Sequence, residues 1–137
     1  MSKLIQPATQ AVAVSTKRMW TGRIVSALPV LALGFSAIAK ISRADAVLQG
    51  MAHYGYPEHL IVGIGILELL VAVIYAIPRT SFLGAILVTG YLGGATATNV
   101  RIGDASYIAT VLLGVLAWVG LYLRDGRLHT LIFNGRR

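Results

Sequence analysis

The chain contains no cysteine. That excludes disulfides, thiolate metal sites and dithiol redox chemistry, so any electron transfer involving it needs a bound cofactor or a partner. Charge is also scarce: 12% of the 137 residues are Asp, Glu, Lys or Arg, against roughly 25% in a soluble domain. Acids are the rarer sign, five against twelve basic residues. None of the three histidines falls inside an apolar run. His53 and His59 are six positions apart in one polar segment and His129 lies near the far end of the chain, a distribution that argues against a metal site and against the axial pair of an intrinsic b-type haem. The glycines between 84 and 94 sit in an apolar run without a following Lys-Ser/Thr, so they are not a nucleotide-phosphate loop. No arrangement of serine, histidine and acid suggests a catalytic triad.

What the chain does have is apolar sequence, 56% hydrophobic with a mean hydropathy of +0.74. This composition defines an integral membrane protein. The net charge of +7 comes from basic residues at the ends of apolar runs rather than from one basic stripe. Lipid headgroups, not nucleic acid, are therefore the expected counterions.

Four spans are expected, at about 24–40, 60–77, 81–100 and 107–123, giving an all-α, four-helix transmembrane bundle within 24–123. Ile24 to Ala39 is uncharged and covers roughly 24 Å as a helix, short of a ~30 Å hydrocarbon core. Arg23 and Lys40 complete that span by snorkelling. A signal peptide ending at Ala37-Ile38-Ala39 is the competing reading of this run. Lys40 directly after the cut would be an unusual start for a mature chain, which favours a retained helix. Residues 41–59 form the longest connection, with a short interfacial helix expected over Asp45–His53 and a turn at Gly55-Tyr56-Pro57. Pro78 ends the second span, with Thr80 or Ser81 expected to cap the next helix. Residues 1–23 read as a basic tail and 124–137 as a basic segment lying along the membrane surface.

Four spans place both termini on one side. Lys3, Lys17, Arg18, Arg23, Arg79, Arg124, Arg127, Arg136 and Arg137 fall on that side, and only Lys40, Arg43 and Arg101 on the other. By the positive-inside rule the termini are cytoplasmic, in a bacterial inner membrane.

Glu68 is the one acid inside a span, roughly 12 Å below the end of its helix. A carboxylate at that depth is costly unless paired, and Gly65, Ala72 and Ala76 share its face, which points it at another helix. Lys40 and Arg101 close neighbouring spans on the same side, with Asn99 nearby. Lys40, Glu68, Asn99 and Arg101 are therefore the candidate polar pocket, with no metal site. The competing reading is a buried network that only fixes helix register. The third span carries small residues at every fourth position, Ala85, Thr89 and Gly93 among them, flanked by Gly90 and Gly94. With Gly65 these are the expected helix-packing residues, because lipid gives helices no hydrophobic reason to associate and close backbone approach must supply the contact.

Lys40 after the first span, Gly55-Tyr56-Pro57, Gly65-x2-Glu68-Leu69, Pro78-Arg79-Thr80-Ser81-x2-Gly84-Ala85 and Gly90-Tyr91-Leu92-Gly93-Gly94-Ala95 ending at Arg101 together resemble the DoxX-like family of small four-helix bacterial membrane proteins, over about Trp20 to Arg127. The resemblance implies proximity to quinones. Named relatives are tied to thiosulfate:quinone oxidoreductase and respiratory complexes and to a membrane redox complex for oxidant resistance. More distant kin are a receptor-assembly chaperone and a secretory cargo receptor. The expectation is thus an accessory subunit, without catalysis of its own or an intrinsic cofactor, that binds a quinone, a lipid or another apolar molecule near Glu68. Its partners are the bilayer and a membrane protein or a second copy. An assembly factor is the first alternative and a small proton-coupled transporter the second. The small multidrug transporters carry their acid in the first helix, which counts against that last reading.

Overall fold

A computed structural model describes residues 14–134, and every regular element among them is a helix. The order is α1 (Thr16–Ile41), α2 (Asp45–His53), α3 (Glu58–Ala76), α4 (Ser81–Arg101), α5 (Tyr107–Arg124) and α6 (Gly126–Asn134). Helices α1, α3, α4 and α5 are each long and apolar enough to cross a membrane. The expected tail residues 1–13 and the terminal Arg136 and Arg137 lie outside the described residues.

Helix α1 begins at Thr16, not at Ile24 as the apolar run suggested. The Ser15 hydroxyl accepts from the Arg18 amide at 3.3 Å, a side-chain N-cap. The extra turns then pack on α5: the Arg18 guanidinium donates to the Tyr122 carbonyl at 3.1 Å and lies over the Tyr122 ring. Segment 16–23 is thus part of the bundle, because hydropathy registers lipid contact and not helix–helix contact. At the α3–α4 turn the expected caps run the other way. The Thr80 hydroxyl donates to the Ile74 carbonyl at 2.8 Å and the Ser81 hydroxyl to the Pro78 carbonyl at 3.0 Å. They satisfy an acceptor left free at the end of α3 and one in the turn after it, instead of amides at the start of α4.

Helix α1 packs on α3 and α5, and α4 packs on the same two, so the four spans form a ring in which every neighbour is antiparallel and α1 faces α4 across the diagonal. Leu31, Phe35, Leu70, Leu83, Leu112 and Val115 point outward. Side chains facing in include Ser26, Glu68, Ser81 and Asn99, the inside-out polarity suited to lipid.

The ring is tight at the end that carries the chain termini. Built onto Gly84, a β-carbon would lie 2.3 Å from Tyr75 Cα; on Gly22 it would lie 2.7 Å from Arg124 N, and on Gly120 2.8 Å from Ser26 N. Tyr75, fully buried, donates to the Ala117 carbonyl at 2.6 Å and has Ser26 Oγ at 3.1 Å, tying α1, α3 and α5 together. Ala85 is fully buried in the same region. Gly90, Gly93 and Gly94, in contrast, have nothing within 4 Å of a built β-carbon, and Thr89, though exposed, accepts from Trp118 Nε1 of α5 at 2.7 Å. Close backbone approach therefore runs through Gly22, Gly65, Gly84 and Gly120, while the glycine-rich half of α4 meets α5 through side chains, Thr96 to Thr110 at 2.7 Å between hydroxyls, and leaves open space at its glycines. Within the small-residue row Ala85 marks contact and Gly93 marks space, because an absent side chain permits either.

Candidate functional site

The space beside Gly90 and Gly94 is a cavity of about 550 Å³ in the half of the bundle opposite the termini, walled by all four spans. Helix α2 and its following loop cover its end through Met51, Tyr54 and Tyr56. Two left-handed positions make that cover, Arg43 at φ 56° after α1 and Gly55 at φ 86° after α2. Tyr56 is tied to Thr98 at 2.9 Å between hydroxyls.

Its polar wall comes from a local pattern. On α3, Gly65 lies one turn before Glu68, and the missing side chain lets α1 come so near that a β-carbon there would be 2.8 Å from Lys40 Cβ. Lys40 Nζ then reaches Glu68 Oε2 at 2.7 Å. Ser36, one turn before Lys40 on α1, completes a triangle: Lys40 Nζ donates to Ser36 Oγ at 2.6 Å, and the Ser36 hydroxyl donates to Glu68 Oε2 at 3.3 Å. The side chains of Lys40 and Glu68 are 11% and 3% exposed, so this is a buried ion pair. Tyr91 from α4 lines the same cavity and its phenol neighbours Glu68 and Tyr56. Asn99, 6% exposed, adds a carboxamide two turns further along α4.

Three of the four candidate pocket residues, Lys40, Glu68 and Asn99, meet at this cavity. Arg101 does not. Its side chain is exposed, and its Nη2 donates to the Tyr54 carbonyl, clamping the loop after α2 from outside. A long cation at the last turn of a helix has headgroups and water within reach, and going inward would cost a second desolvation beside Lys40. The loop is held from the other side as well: the Tyr54 hydroxyl donates to Asp104 Oδ2 at 3.3 Å. Asp104 lies below the usual carboxylate range, mainly because the Ser106 amide donates to it at 2.8 Å, and Tyr54 is pushed up by burial and then by the Asp104 charge.

Sequence reasoning left Tyr91 out of the site, although Tyr91, Ala95 and Asn99 share one face of α4 at four-residue spacing. Ser36 carried the same signal, four residues before Lys40. Among the described residues no group of three His, Asp or Glu side chains is placed to hold a metal ion.

Four apolar spans around an inward-facing charged pair define a multi-pass helical membrane protein with an internal polar site. The chain belongs to the DoxX-like family, whose family model matches residues 24–120. No curated protein matches it, and no solved structure does.

Proposed function

We propose that this protein is an accessory subunit of a membrane redox system that binds a quinone-like molecule in the cavity beside Lys40 and Glu68. The observation that carries the reading is a mostly apolar cavity of about 550 Å³ with its polar groups gathered on one wall, within the ~300–1,000 Å³ typical of small-molecule sites. A quinone ring fits that pattern: its carbonyls accept from the Lys40 ammonium, the Ser36 hydroxyl or the Tyr91 phenol, and its apolar face lies against Leu33, Ile64 and Leu113. The open flank at Gly90 and Gly94 gives a flat ring room next to the α4 backbone. Glu68 accepts hydrogen bonds, and it also serves a reduced, hydroxyl-bearing form of the same ligand. The bias of basic residues toward the terminal end supports cytoplasmic termini in a bacterial inner membrane, which puts this cavity in the outer leaflet.

The test is retention of ligand by the full chain in mild detergent. Organic extracts of wild type, or wild type equilibrated with decylubiquinone, are expected to hold about one quinone per chain. Glu68→Gln and Lys40→Met, checked for an intact fold, are expected to hold less than about a tenth of that, since the second removes a charged donor to the ligand and the first the carboxylate that holds that donor in place. Equal retention by folded variants, or no saturable uptake by wild type, rejects the reading. A reporter fused after Arg137 that is active only on the cytoplasmic side checks the orientation.

A further inference from the structure

At the opposite end of the bundle a second pocket of about 150 Å³ lies between α1, the α3–α4 turn and the start of α6. Arg23, Arg124 and Arg127 line it, together with Ser81 and one acid, Asp125. Arg124 is already oriented: its Nη2 donates to the Tyr75 carbonyl at 2.9 Å, and its guanidinium carbon lies 4.8 Å from the centre of the Tyr75 ring. Its Nε–H is buried and has no hydrogen-bond partner among the described residues. Asp125 does not neutralise the pocket. It accepts from the Arg127 amide at 2.9 Å and from Arg127 Nε at 3.3 Å, holding that side chain in place while 68% of it stays exposed. Arg23 makes no ion pair among the described residues, and its guanidinium lies 5.3 Å from the Trp20 ring centre. Three guanidinium groups against one carboxylate leave an excess of two positive charges where a span ends and headgroups begin.

We propose that this pocket binds the phosphate of a net-anionic headgroup, from a lipid or as free phosphate, the excess positive charge excluding a headgroup that carries its own cation. The volume is well below the ~300 Å³ at which small-molecule sites begin, so it admits a headgroup anion and not a ring or an acyl chain. Planar guanidinium forks match phosphate oxygens in pairs, and the first turn of α4, which begins at Ser81, adds the positive end of a helix dipole. Basic pockets between spans are a recognised means of holding anionic headgroups. The site is separate from the Lys40–Glu68 cavity and is independent of what that cavity binds.

The experiment counts dioleoylphosphatidylglycerol bound to the full chain in mild detergent by native mass spectrometry, with dioleoylphosphatidylcholine as the zwitterionic reference and inorganic phosphate as competitor. Arg23 and Arg127 are exposed, so the double variant Arg23→Gln/Arg127→Gln is used. Arg124→Gln is avoided because it also loses the Tyr75 contact. Expected is one saturable phosphatidylglycerol site that binds at least about tenfold more tightly than phosphatidylcholine, weakened about tenfold or more in the double variant while its unfolding midpoint stays at the wild-type value. Displacement by millimolar inorganic phosphate assigns the site to the free ion, and persistence assigns it to the lipid; either supports the proposal. Equal binding of the two lipids without a phosphate effect overturns it, as does wild-type binding by the double variant.

Discussion

Replacing Gly84 by alanine places a methyl carbon 2.3 Å from Tyr75 Cα, 2.4 Å from Tyr75 N and 2.8 Å from the Ile74 carbonyl carbon. All three are backbone atoms, so no rotamer change relieves the overlap. Ordinary contact begins at 3.4 Å, and α3 and α4 must part by about 1 Å. Overpacking of this kind costs about 1–3 kcal/mol. The same movement draws the Tyr75 hydroxyl off the Ala117 carbonyl, now 2.6 Å away, and losing a buried hydrogen bond adds about 1–3 kcal/mol. Alanine returns at most about 1 kcal/mol through its better helix propensity. The expected net loss for Gly84→Ala is therefore about 1–5 kcal/mol. Gly93→Ala is the paired control: its methyl enters open space, and only the propensity gain remains, so stability stays level or rises by up to about 1 kcal/mol. Both variants are compared with wild type by tryptophan fluorescence during denaturant titration in mild detergent. A wild-type midpoint for Gly84→Ala would refute the close α3–α4 approach. A large loss for Gly93→Ala would refute the open space at Gly93.

Two further outcomes test the polar groups. Lys40→Met strands a carboxylate whose side chain is 3% exposed and is expected to cost about 3–5 kcal/mol, whereas the double variant Lys40→Met/Glu68→Leu recovers most of that loss, since apolar replacement of a whole buried pair is often neutral. A thermal-unfolding cycle over the four chains checks this, and additive losses would show that the pair is not coupled. Asp104 has a folded-state pKa below its unfolded value of about 4, so its contribution is present above that value and is lost as pH falls through the depressed one. Asp104→Asn is accordingly expected to lower the unfolding midpoint at pH 7 and to converge on wild type as the pH falls below the usual carboxylate range, by differential scanning fluorimetry; a difference independent of pH contradicts the assignment.

The membrane class, the four spans, the short helix over Asp45–His53 and the inward placement of Glu68 were legible from the residue order, because each depends on local hydropathy or on the cost of a charge in lipid. Lys40 as a neighbour of Glu68 was legible too, since a cation closing an adjacent span is the nearest compensation available. The start of α1 at Thr16 was not legible, because the Arg18–Tyr122 contact that supports it joins residues 104 positions apart. Nor was the outward turn of Arg101, which depends on where the Tyr54 carbonyl comes to lie.

The sequence by itself determined that this chain is a four-span membrane protein with one acid that must be paired at depth. The tertiary structure alone decided which glycines touch a neighbouring helix and which open a cavity. A missing side chain is the same signal in both cases, and only the distance between two helix axes separates them. The same holds for Arg124: from residue order it stops a helix, and packing against Tyr75 makes it the fixed wall of a basic pocket.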